Sequence, residues 1–159
     1  MQYHVRALFK NEFEVEHDED FIAHETADAQ LVCEWRDGQG SGPNPEGLHF
    51  DMRAGPDSEW NSEILRILLS KLKKRRAEES WDLPDRSDSY YLGLLQAKYK
   101  RARNAWNAGQ PKNTHPGQEE SPEDVEMRLV LSKDISSKRA RTNKRRIEVS
   151  LIWNETTTC

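Results

Sequence analysis

Residues 58–81, SEWNSEILRILLSKLKKRRAEESW, decide the reading of the fold. Ser58 is a good N-cap, and Glu59 and Glu63 suit the positive start of a helix. Trp60, Ile64, Leu65, Leu68, Leu69 and Leu72 then recur at i, i+4 and i+1 offsets, which an amphipathic helix requires. The stretch ends in five cations, Lys71, Lys73, Lys74, Arg75 and Arg76, where the helix dipole is negative.

WDLPDRSD interrupts the pattern, because a proline forces the residue before it out of helical geometry. After a cap at Ser87 or Asp88, Tyr91, Leu95, Tyr99, Ala102 and Trp106 step by 4, 4, 3 and 4 residues. Two amphipathic helices joined by so short a turn should fold back as a hairpin over 58–107, burying their facing stripes.

Upstream, apolar and polar residues alternate. Tyr3, Val5, Ala7 and Phe9 share one side of 2–10, and Phe13 and Val15 continue the pattern. Leu31, Cys33 and Trp35 alternate in AQLVCEW, as do Leu48, Phe50 and Met52 in GLHFDMR. Period-2 spacing predicts half-buried strands, so the expected class is α+β, with a mainly helical protein as the alternative. Short antiparallel strands in an acidic region 1–57 precede the hairpin.

NAGQPKNTHPGQEESP predicts a disordered linker over 108–121. Ser121-Pro122-Glu123-Asp124 is a strong helix start, with serine at the cap, proline first in the helix and acids next. Region 122–159 is expected to hold a thinly apolar, partly docked third helix, then a strand or tail. RIEVSLIW alternates Ile147, Val149, Leu151 and Trp153, with continued helix as the competing reading.

Over 159 residues the charged fraction is 33% and the hydrophobic fraction 35%, with a mean hydropathy of −0.98. The net charge of −4 conceals an asymmetry. Residues 1–57 hold 13 acids and 4 bases, whereas 133–146 hold 7 bases and one acid. Such regions attract each other or address different partners. Two cysteines, Cys33 and Cys159, allow no zinc spacing. MQYHVRALFKNE lacks the apolar run of a signal peptide and no span is long enough for a bilayer, so an intracellular protein without membrane contact is expected.

The sharpest functional signal is SSKRARTNKRR, residues 136–146. Closely spaced cations neutralise phosphates and release counterions, giving affinity without sequence reading. The same composition serves as a nuclear-import peptide. Lys138, Arg139, Arg141, Lys144, Arg145 and Arg146 are the candidates there, with Lys71, Lys74, Arg75, Lys98 and Arg101 on the hairpin. The plainer alternative is a solvated helix face, with ordinary dipole pairing at the helix ends. Tyr91, Tyr99 and Trp106 lie on the apolar stripe, where burial rather than base stacking is expected.

Chemistry-bearing clusters are sparse. His17-Asp18-Glu19-Asp20, or His49 with Asp51, offers metal-type ligands without a second group at a recognised spacing. Cys33 falls on the expected apolar face of a strand, where a thiol is inert. GQGSG, residues 38–42, is not followed by a helix start that binds phosphate. Neither catalytic residues nor a cofactor is expected.

Residues 48–112 resemble a segment recurrent in uncharacterised fungal proteins. There an LHFDMR-like entry precedes a Trp-started helix, a WDLPDRS-like turn and a K-x-K-R-A-R-x-x-W helix. LHFDMR, SEWN, WDLPDRS and KYKRARNAW carry the likeness in this chain. It implies a fungal origin and a shared module, and no activity. The spaced tryptophans and basic second helix are also loosely similar to Myb/SANT-like and trihelix DNA-binding domains, which hold three helices with regularly spaced aromatics. Here a proline-bearing turn stands where their middle helix belongs.

The expected role is therefore a non-enzymatic, nuclear protein touching nucleic acid electrostatically, without reading bases. A protein-interaction module built on the hairpin is the alternative, and a metal-dependent hydrolase the third.

Overall fold

The computed structural model describes residues 1–82, 84–115 and 118–156, and their side chains apart from 114–115 and 145–156. The chain divides into two compact units, Met1–Ala108 and Gly109–Cys159.

The first unit is helical. It contains α1 (Gln2–Phe13), a 3-10 turn (Asp18–Ala23), α2 (Ala29–Arg36), α3 (Glu59–Glu78) and α4 (Asp88–Gly109, whose last residue belongs to the second unit). The expected N-terminal antiparallel strands are absent from the described residues, so the α+β class is corrected to a mainly helical one. Residues 2–13 carry two periods at once, and the helical one wins. Val5, Leu8 and Phe9 are buried at i, i+3 and i+4, whereas Tyr3 is 75% exposed. Glu14, in the left-handed region at φ 54°, ends α1.

α2 starts where the Asp28 carboxylate accepts the Gln30 and Leu31 amides at 2.7 and 3.2 Å. Val32 and Trp35 pack against the core, while Leu31 and Cys33 face water.

Leu48, Phe50 and Met52 are buried as their alternation predicts, but in a segment without strand pairing. That segment is held from several sides. The Ala27 amide donates to the Phe50 carbonyl at 3.0 Å, and the Trp60 indole donates to the His49 carbonyl at 2.9 Å. Thr26 Oγ1 accepts the Met52 amide at 3.0 Å. Phe50 then reaches the Phe13 ring at 5.1 Å and the Tyr99 ring at 4.6 Å between centroids.

α3 begins as its cap implies, with Ser58 Oγ accepting the Asn61 amide at 3.3 Å. Trp60, Ile64, Leu65, Leu68, Leu69 and Leu72 are all buried, each worth about 1.5–3 kcal/mol relative to exposure. α4 buries Tyr91, Leu95, Tyr99 and Ala102 and packs Trp106 partly against the same core. Side chains join the two helices in antiparallel order. Asn61 bonds Tyr99, Lys73 bonds Asp88 and Arg76 bonds Tyr91.

Asn61 is the polar centre of this unit and is fully buried. Its Oδ1 accepts the Asp51 amide at 3.0 Å. Its Nδ2 donates toward the Asp51 and Gly55 carbonyls and the Tyr99 hydroxyl, at 3.0, 2.9 and 3.0 Å. The Tyr99 hydroxyl in turn faces the Asp51 and Ala54 carbonyls at 3.0 and 2.8 Å. Burial, its main cause, pushes the Tyr99 pKa up to about 12, so it remains a neutral donor. Arg103 completes the clasp by donating to the Met52 and Arg53 carbonyls, both at 2.9 Å.

The second unit holds a two-stranded antiparallel pair, β1 (Asn113–His115) and β2 (Gln118–Glu119), and α5 (Pro122–Thr156). The stretch expected to be a disordered linker thus carries the only strands among the described residues. α5 runs through 147–153, so the proposed closing strand gives way to continued helix; its side chains lie outside those described. Ser121 and Asp124 cap α5 reciprocally. Ser121 Oγ accepts the Asp124 amide at 3.2 Å, and Asp124 Oδ2 accepts the Ser121 amide at 3.2 Å.

Candidate nucleic-acid interface

The eleven candidate cations fall into two groups with different surroundings. Those on the hairpin are engaged within the first unit. Lys71 Nζ donates to Glu12 Oε2 at 2.5 Å and to the Pro45 carbonyl at 2.7 Å. Lys98 is buried, lies 5.7 Å from the Phe9 ring centroid and bonds the Asp18 carboxylate, which Arg101 also meets at 3.2 Å. These three cations therefore fasten α1 and the 3-10 turn to the hairpin. The acids that answer them come from the amino-terminal region.

Lys74 and Arg75 make looser i, i+4 pairs with Glu78 and Glu79, at 3.8 and 3.3 Å. Exposed pairs of that kind contribute only about 0.3–0.5 kcal/mol. Lys73 and Arg76, on the same turns, are matched by Asp88 and Asp85. A hydrogen bond to Asp88 holds the Lys73 ammonium above its ordinary pKa, and the Arg76 bond holds Asp85 below the usual carboxylate range.

The α5 cations have another setting. At the start of that helix Val125 is buried, and Arg128 forks onto Glu120 at 3.0 and 2.8 Å while reaching the Gln110 carbonyl at 3.0 Å. The Arg128 bond lowers the Glu120 pKa. Every residue from 130 to 144 is exposed. Lys138, Arg139, Arg141 and Lys144 have no carboxylate within ion-pair distance among the described residues. Lys138, Arg141 and Lys144 follow at i, i+3 spacing with Arg139 beside them, over a rise of about 9 Å. Arg145 and Arg146 continue the helix backbone; their side chains lie outside those described.

The remaining candidates resolve into structural roles. Asp20 accepts the Glu16 and His17 amides at 2.8 and 2.7 Å, bonds that lower its pKa, while Asp18 serves Lys98 and Arg101. His49 Nδ1 faces the Glu25 carbonyl at 3.0 Å, and Asp51 pairs with Arg53. No group of three metal-ligating side chains forms among the described residues. Cys33 is exposed rather than buried, because residue 33 turns outward on α2; Arg36 approaches its Sγ at 3.1 Å. The GQGSG loop packs on Trp35. Gly42 has φ +76°, and a Cβ there would lie 2.9 Å from the indole, so glycine serves close packing there.

Sequence reasoning missed Asn61, whose signal was an amide set inside an otherwise apolar stripe next to Trp60. A groove of about 620 Å³ beside α2, lined in part by Leu31, Glu34, His49 and Trp60, was also unforeseen.

No family model, curated protein or solved structure matches the chain. Among the described residues no helix is long and apolar enough to cross a membrane.

Proposed function

We propose that the protein is a non-enzymatic nuclear factor that contacts nucleic acid through the phosphate backbone, using the basic tract of α5. One observation carries this reading: Lys138, Arg139, Arg141 and Lys144 are exposed and lack acidic partners among the described residues, whereas the hairpin candidates are already matched. Lys71, Lys98 and Arg101 accordingly leave the proposed interface. Lys74 and Arg75 remain accessory contacts, since weak surface pairs exchange readily for phosphate.

Base reading is not part of the proposal. Tyr91 and Tyr99 of α4 are buried in the core, Trp106 packs partly against it, and Arg103 is occupied by backbone carbonyls. The segment resembling fungal proteins reads as a structural module. Its Phe50, Trp60, Asn61, Tyr99 and Arg103 hold one another, and none of them needs a ligand to do so.

Four phosphate contacts on duplex DNA correspond to a slope of log K against log salt of about −3.6. Fluorescence anisotropy with duplex DNA, titrated from about 50 mM salt upward, tests this. The variant carrying alanine at 138, 139, 141 and 144 should lose most of the affinity and most of the slope. Absence of binding at the lowest salt, or an unchanged slope in that variant, overturns the reading. The hairpin has less claim to be a docking module, because its apolar stripe is covered within the first unit.

A further inference from the structure

α5 presents a second, apolar surface that borders its cations at Lys138. Met127, Leu131 and Ile135 are 62, 56 and 51% exposed and recur every four residues. They are turned away from Val125, which is buried, and Leu129, which is half-buried. Helical stability in proteins comes mainly from packing an apolar face, so an uncovered stripe in a 35-residue helix needs explanation. Continued by three residues at each end, the stripe terminates in Asp124 on one side and Lys138 on the other.

The spacing is symmetric about Leu131. Met127 and Ile135 stand four residues to either side of it, and Asp124 and Lys138 seven. A two-fold interface must be self-complementary, each residue meeting its counterpart across the axis. Two α5 helices laid antiparallel with Leu131 at the axis satisfy that condition throughout. Leu131 meets Leu131, Met127 meets Ile135, and Asp124 meets Lys138 twice. Parallel pairing instead sets Lys138 against Lys138 and Arg139 against Arg139, which is repulsive. Asp124 Oδ2 is engaged by the Ser121 amide and hydroxyl, while no hydrogen bond falls on Oδ1 among the described residues.

We infer that a second copy of this chain covers the α5 stripe, giving a symmetric antiparallel dimer centred on Leu131 and closed at each end by an Asp124–Lys138 pair. The inference does not depend on nucleic-acid binding. Three apolar residues a side make a small interface, below the size typical of permanent assemblies, so the association is weak and concentration-dependent.

Sedimentation equilibrium of the full chain, run from micromolar to several hundred micromolar, tests it. The average mass should climb from 18.5 kDa toward twice that value. Leu131→Glu, a change at an exposed position that leaves the circular dichroism spectrum intact, should hold the chain at monomer mass throughout. Asp124→Asn, which keeps an oxygen to accept the Ser121 amide, and Lys138→Gln should each weaken association about tenfold, and the two together little further. Monomer mass at every concentration overturns the inference. So does a dimer indifferent to Leu131→Glu, or one indifferent to both Asp124→Asn and Lys138→Gln.

Discussion

The two units of this chain use the same residue types in opposite ways. In Met1–Ala108, charge is spent inside the fold: Lys71 on Glu12, Lys98 and Arg101 on Asp18, Arg103 on the carbonyls of 52 and 53. Around them lies a continuous apolar core from Val5 to Ala102. In Gly109–Cys159, Val125 is the one buried hydrophobic side chain among the described residues, and the cations of 138–144 are left to solvent. The lesson is that a count of lysines and arginines says little about binding until each has been asked whether an acid already holds it.

Four measurements put that contrast at risk. Phe50→Ala removes a ring packed between Phe13 and Tyr99, and should lower the unfolding free energy of the first unit by about 3–5 kcal/mol. Urea denaturation followed by tryptophan fluorescence reads this; a loss under about 1 kcal/mol would show that 48–52 is not core. Asn61→Asp keeps the side chain's shape while removing its donors to Asp51, Gly55 and Tyr99, and should cost about 3 kcal/mol in the same assay.

Next comes a pH effect. Burial, with a smaller push from His49, lowers the His24 pKa to about 4 from 6.5, and Nε2 is buried without a hydrogen-bond partner among the described residues. The unfolded chain therefore takes up a proton near pH 6.5 that the folded chain refuses until about pH 4. Stability is complete above pH 6.5 and should fall by about 2–3 kcal/mol as the pH drops through that window. His24→Phe, which keeps a ring among Phe13, Phe21 and His49, should flatten that part of the profile.

The smallest effect belongs to the second unit. Alanine at 138, 139, 141 and 144 together should shift stability by no more than about 0.5 kcal/mol, since exposed side chains carry little folding energy. A larger loss in thermal denaturation would mean that the tract is structural, and would erase the contrast between the units.

Much of α3 and α4 was legible in the sequence because a long stripe at helical spacing admits one reading, and Ser58 marks where it starts. The amino-terminal third was not, because its apolar runs are short. Over residues 3–9 the alternating set and the set Val5, Leu8, Phe9 compete, and which wins depends on α3 lying alongside. At 48–52 the burial was readable while the element was not: alternation reports which side chains go inward, not whether a neighbouring strand exists. Of the candidate interface, the tract at 138–144 was visible as composition. That Lys98 meets Asp18 from 80 residues away was beyond any local pattern.

The exposed stretch of α5 over 130–144 also changes how the chain meets a protease. Trypsin needs a lysine or arginine on backbone that can open locally, and 138–144 supplies four such sites among side chains that all face water. Lys98 and Arg103 are no less basic, yet each is pinned by its side chain on a helix that the core holds. A brief digestion should therefore trim the chain from its carboxyl side and leave a resistant fragment close to residues 1–108.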